Sequence, residues 1–214
     1  MDIIYSLFIA TTLPIALLSL VVKQEKARRL LLFFLWGIIS YVLSLQVNRL
    51  IFSLTGLGAQ QLSISTGPIV EELFKMLPLL FVFLFYFKLK AELISLGMAS
   101  GIGFAIQENF QYILSSSQEG LQLIYYVVLR SLSTCLMHGL ATAMIGYGIF
   151  LMSRAQKRIQ PVLFAFFSMA VIFHALFNLL ISSSYHILGT MLPAVIYLLV
   201  SLLMQKDAKK HQDI

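Results

Sequence analysis

Two adjacent glutamates and a lysine, Glu71-Glu72-Leu73-Phe74-Lys75, interrupt an apolar stretch that runs from Ile64 to Phe87. At the centre of a lipid-embedded helix each charge costs at least ~2.5 kcal/mol, so three together require a protein-lined, hydrated site. On a helix Lys75 falls one turn beyond both carboxylates, which themselves diverge by about 100°. Other apolar stretches carry Glu108-Asn109, His138, and His174 with Asn178, the last two sharing a helix face. Arg130, Thr134 and His138 form a further polar stripe at intervals of one turn. Such a set suits hydrolysis by an activated water. One carboxylate takes the water's proton, a second carboxyl or a histidine protonates the leaving amine, and a His-Asn face holds the oxyanion. Lys75, Asn109 and Arg130 are candidates for orienting these groups or the substrate. Zinc accepts the same ligand types, with His138, His174 and Glu72 as the candidate set. The sequence has no H-E-x-x-H motif, and the expectation is therefore catalysis without a metal.

These residues need helices to position them. The chain is 59% hydrophobic and 11% charged over 214 residues, the composition of a polytopic membrane protein. We expect an all-α transmembrane bundle of about seven helices, forming one integral-membrane domain over 1–214. The spans are Ile3 to Val22, Leu30 to Val47, Ile64 to Phe87, Leu93 to Leu114, Ser131 to Met152, Pro161 to Ile181 and Ile187 to Met204. Each approaches the ~20 residues that cross a bilayer. Leu50 to Ser65, with Gly56 and Gly58, reads as a loop or short re-entrant piece, and Leu121 to Leu129 as an interfacial lead-in to the fifth span. The first span lacks a basic leader and reads as a retained anchor.

The net charge of +6 comes from bases clustered between apolar runs, which is a topology signal and not a nucleic-acid footprint. Lys23, Lys26, Arg28, Arg29, Lys88, Lys90, Arg154, Lys157, Arg158, Lys206, Lys209 and Lys210 fall on one side, against Arg49 on the other. The positive-inside rule then puts the N-terminus outside a cell membrane and the C-terminus in the cytoplasm. Counted at 1.5 Å per residue from the outer ends, Glu71 and Glu72 lie ~5–12 Å deep, Glu108 ~9 Å, His138 and His174 ~10 Å, and Asn178 ~5 Å. Four helices thus bring polar groups to one level in the outer half.

Plainer readings exist for single residues. A lone buried histidine is more often an interhelical hydrogen-bonder than a ligand. Gly97 and Gly101 read as close helix packing, and Trp36 as a packing or lipid-facing residue. Cys135 has no basic partner in the sequence pattern and reads as inert; as the only cysteine, it excludes an intrachain disulfide.

The order Glu71-Glu72-x-x-Lys75, Phe104-x-x-x-Glu108-Asn109, His138, His174-x-x-x-Asn178 resembles the PrsW family of intramembrane proteases, over most of the chain from about Gly67 to Asn178. The resemblance implies a bacterial or archaeal membrane protease acting on a single-pass membrane protein such as an anti-sigma factor, near the extracytoplasmic face. It implies that Glu71 and Glu72 match the family's essential glutamate pair and His174 its essential histidine, with Glu108 and His138 in the second and third motifs. Both glutamic-type and metal-dependent mechanisms are associated with the family, and the glutamic type is the expectation here. The neighbouring CAAX prenyl endopeptidases and bacteriocin-immunity proteins carry an arginine where this chain has Met76 and a histidine where it has Glu108, which favours PrsW. A non-catalytic membrane scaffold and a proton-coupled transporter are the competing classes; the latter would be expected to show inverted repeats.

Overall fold

The computed structural model describes residues 2–86, 92–154 and 159–210, and within them every regular element is a helix. In chain order these are α1 (Asp2–Val21), α2 (Glu25–Thr55), α3 (Ala59–Ile64), α4 (Thr66–Phe85), α5 (Leu93–Leu114), α6 (Gly120–Arg154), α7 (Ile159–Ile181) and α8 (His186–Lys210). The protein is a multi-pass helical membrane bundle. By length and apolarity alone α1, α2, α6 and α7 qualify as spans. Helices α4 and α5 fall short for reasons tied to the site: α4 carries Glu71, Glu72 and Lys75, and α5 carries Gln107-Glu108-Asn109. Outer faces present large apolar side chains such as Leu17, Leu20, Leu198 and Leu199 to the surroundings, as acyl chains require and water would not tolerate.

Two boundaries differ from the sequence expectation. Leu121 to Leu129 is no separate lead-in, because α6 is one continuous helix of 35 residues, about 50 Å long. Bilayer thickness limits the apolar part of a helix, not its continuation beyond the hydrocarbon. Leu50 to Thr55 likewise prolongs α2, which ends at Gly56 with φ 66°, a left-handed cap suited to glycine. Only the turn Gly56 to Gly58 and the short α3 remain of the expected loop, with the Gly58 N–H donating to Gln61 Oε1 at 2.9 Å. Phe87, Lys88, Lys90, Lys157 and Arg158 lie outside the described residues.

Helix α5 sits between α2 and α6, and small residues let it approach both closely. A Cβ on Gly103 would stand 2.0 Å from Phe34 O of α2; one on Gly101 would stand 2.1 Å from His138 O, and one on Gly97 2.6 Å from Thr142 O, both on α6. The expected close packing at Gly97 and Gly101 therefore fixes the α6 turns that carry His138 and Thr142. Beneath the polar level, Leu79, Leu93, Leu96, Ile145 and Ile149 form a buried apolar cluster.

Pro78 inside α4 has no N–H to give Phe74 O. Trp36 Nε1–H of α2 supplies the missing donor at 2.9 Å, and Ser100 Oγ donates to the neighbouring Lys75 O at 3.2 Å. Trp36 is thus a specific tie between α2 and α4, not a plain packing residue. At the end remote from Gly56, Arg29 of α2 forks onto Glu92, which precedes α5, at 3.0 and 2.9 Å.

Candidate active site

Glu72 and Lys75, both fully buried, form the centre of the polar level. Glu72 Oε1 accepts from Lys75 Nζ at 2.5 Å and from His174 Nδ1 at 3.0 Å, and Glu72 Oε2 accepts from Thr142 Oγ1 at 3.2 Å. Lys75 has only donors, so its 2.9 Å contact makes His138 Nδ1 an acceptor and leaves His138 Nε2–H to donate to Glu108 Oε2 at 3.1 Å. Arg130 donates to the same Glu108 oxygen at 3.4 Å while its guanidinium lies 3.5 Å over the Tyr112 ring. Lys75 also stands 4.6 Å over the Phe104 ring. The buried charges are thus paired and hydrogen-bonded, the condition under which burying them is tolerable.

The same logic leaves one edge of the network open. With its Nδ1–H given to Glu72, His174 presents a lone pair at Nε2, and this atom has no partner among the described residues. Neither has Glu71 Oε2, which faces it at 3.6 Å. Glu71 Oε1 receives a long bond of 3.4 Å from Asn48 Nδ2 of α2. Beyond Glu71 lies a cavity of about 270 Å³ between α2, α3, α4, α5 and α7, with Glu71, Glu108, Asn48, Arg49, Gln111, Tyr112 and Asn178 in its walls. Glu71 is therefore the group through which His174 meets the cavity, as Glu108 is for His138.

The sequence profile of the PrsW family, described as intramembrane metalloproteases, matches residues 25–204. The chain belongs to the PrsW family. It is an intramembrane protease, a hydrolase of peptide bonds within a multi-pass membrane bundle. No curated protein and no solved structure matches the chain significantly. Helix α1 lies outside the matched residues and is joined to the PrsW region by Gln107 Nε2, which donates to Thr11 Oγ1 at 2.6 Å.

The family description runs against the expectation of catalysis without a metal, and the geometry offers a donor set. One ligand atom each of Glu71, His138 and His174 lies within 4.8 Å of the others. Here Glu71 takes the place expected of Glu72, whose oxygens are engaged by Lys75, His174 and Thr142. A histidine ligand usually donates its second ring N–H to a carboxylate, the relation His174 has with Glu72. His138 fits less directly, since both its nitrogens are engaged by Lys75 and Glu108.

Two expected site residues stand apart from this cluster. Asn178 donates through Nδ2 to Ser63 O at 2.8 Å, tying α7 to α3 on the cavity wall. Asn109 accepts from Thr134 Oγ1 at 2.8 Å, a contact between α5 and α6. Thr142, Asn48 and Tyr112 were not singled out by sequence. For Thr142 a signal existed, because it continues the one-turn stripe Arg130, Thr134, His138.

Proposed function

We propose that this PrsW-family protein hydrolyses a peptide bond of a single-pass membrane protein, with a water activated between Glu71 Oε2 and His174 Nε2. The supporting observation is that pair of buried, unpartnered atoms 3.6 Å apart, behind a cavity that Glu71 lines. Glu71 and His174 each offer a lone pair to one water hydrogen, so the water's own lone pair is free to point toward a substrate carbonyl in the cavity. Glu71 takes the proton as the water attacks and returns it to the amine as the C–N bond breaks. Glu72 holds His174 in the tautomer that keeps Nε2 unprotonated, and Lys75 neutralises Glu72 without reaching the cavity. His138 and Arg130 hold Glu108 on the cavity wall, where its carboxylate flanks the substrate.

Glu71 and His174 also offer donors that zinc accepts, and His138 would join them only on giving up its bond to Lys75 or to Glu108; a zinc held there would supply Lewis-acid polarisation and a more acidic bound water. Such a zinc would use Glu71 and His174 as ligands and not as partners of the water, in place of the metal-free mechanism expected from the absence of H-E-x-x-H. The substrate class is a membrane-anchored protein such as an anti-sigma factor, cut toward the extracytoplasmic face of a cell membrane, with the N-terminus outside and the C-terminus in the cytoplasm. A regular helix hides its carbonyls in its own hydrogen bonds, so the substrate unwinds locally, next to Gly or Pro, to present a bond. The test is cleavage of single-pass substrates by protein reconstituted in vesicles. Wild-type protein should release the outer fragment, and Glu71→Gln should not.

A further inference from the structure

Among the described side chains, the half-buried and buried lysines and arginines are paired with carboxylates, with one exception. Lys75 pairs with Glu72, Arg130 with Glu108 and Arg29 with Glu92, at 2.5, 3.4 and 2.9 Å. Arg49 of α2 is half-buried, lines the cavity beside Asn48 and Glu71, and has no described carboxylate within ion-pair distance. Its guanidinium makes a long bond of 3.4 Å to the Tyr5 hydroxyl, which already accepts from Gln46 Nε2 at 2.6 Å. A guanidinium presents a planar fork of donors matched to a carboxylate, and here most of that fork has no described partner.

We propose that Arg49 is a specificity-determining residue that binds the carboxylate of an Asp or Glu side chain in the substrate, offset from the bond that is cut. This rests on the protease reading above. Arg49 opens on the same cavity as Glu71, so an anion that meets it occupies that cavity together with the reacting peptide. Glu71 and Glu108, in the same walls, would repel an acidic side chain at the reacting bond itself. The acid therefore belongs on the α2 side. A lipid phosphate has the same chemistry, but seated at Arg49 it would compete with the peptide for the cavity.

The experiment uses full-length protein in phosphatidylcholine vesicles, with and without phosphatidylglycerol, and a single-pass model peptide whose cleaved bond is first located by mass spectrometry. Asp, Asn or Lys is then placed at each position within about five residues of that bond. At one position on one side, wild-type protein should favour Asp over Asn by about tenfold or more in KM, the scale of a charge-assisted bond, with kcat little changed. Arg49→Gln should erase that preference, and Arg49→Glu should transfer it to the Lys peptide, a rescue that a merely misfolded variant would not give. Equal KM values across the series for wild-type protein, or an Asp preference that survives in Arg49→Gln, would overturn the proposal. So would a loss on Arg49→Gln that follows the phosphatidylglycerol content and not the peptide. If wild-type protein cleaves no peptide of any series, the protease reading fails and this proposal with it.

Discussion

The carboxylates of Glu71 and Glu72 are neighbours in sequence with opposite surroundings, and mutation should separate their roles. Glu71 Oε2 carries no protein bond, so Glu71→Gln should leave the fold intact while lowering cleavage by at least ~10²-fold, the scale of a positioned acid-base group. Glu72 and Lys75 are a buried pair; Glu72→Gln or Lys75→Met leaves one ion without its partner, at a cost of roughly 3–5 kcal/mol. Unfolding in detergent should show this, and the double variant Glu72→Leu with Lys75→Met should recover stability while remaining inactive. Stability of both single variants equal to that of wild type would refute the pairing as a structural requirement. The metal is decided at the same scale. Purified wild-type protein should stay active without zinc, as a water held between Glu71 and His174 requires; stoichiometric zinc, lost with activity on chelation and much reduced in Glu71→Gln and His174→Ala, would make the pair metal ligands instead. The charged members of this cluster were legible in sequence because ions in apolar runs are costly and need a reason. Thr142 and Asn48 were not, since a hydroxyl or amide on a helix commonly finds a backbone carbonyl and carries no such cost.

The helices matter here as carriers of fixed distances. Gly101 faces the His138 carbonyl so closely that Gly101→Ala must push α5 from α6, and with it Glu108 from His138. The expected result is a stable, helical protein with much reduced cleavage, measured by circular dichroism alongside turnover; unchanged turnover would mean that the α5–α6 spacing is not critical. Trp36→Phe should leave Phe74 O without a donor next to the site and cost about 1–3 kcal/mol in unfolding free energy. The apolar run alone gives α5 to the residue and α1 to within one residue, whereas bilayer thickness does not bound α6, which continues past the hydrocarbon. The proline that frees Phe74 O was visible in sequence, but the donor that answers it comes from another helix. The same separation hid the Asn178 contact with Ser63, a bond across 115 residues of chain.

For the molecule as a whole, the question is which side of the membrane the cavity serves. The asymmetry of loop bases predicts that a reporter fused after Lys210 reads cytoplasmic and one inserted in the Ser115 to Gly120 loop reads external. Arg29 and Glu92, joined at the opposite end of α2 from Gly56, would then mark the cytoplasmic ends of α2 and α5. The depth estimate for His138 from its helix end does not survive the longer α6, yet its contact with Lys75 brings it level with the glutamate pair all the same. What made the membrane site legible was polar residues recurring on separate apolar runs; which of them touch was decided only by packing. The pair formed by Glu71 and His174 is the centre of the proposed chemistry. Its most direct measurement is the rate and site of cleavage of a single-pass substrate by wild-type, Glu71→Gln and His174→Ala protein in the same vesicles. We predict a new terminus in the outer third of the substrate span for wild-type protein and a loss of at least ~10²-fold in both variants; near-normal turnover in the variants, or a terminus on the cytoplasmic side, would contradict it.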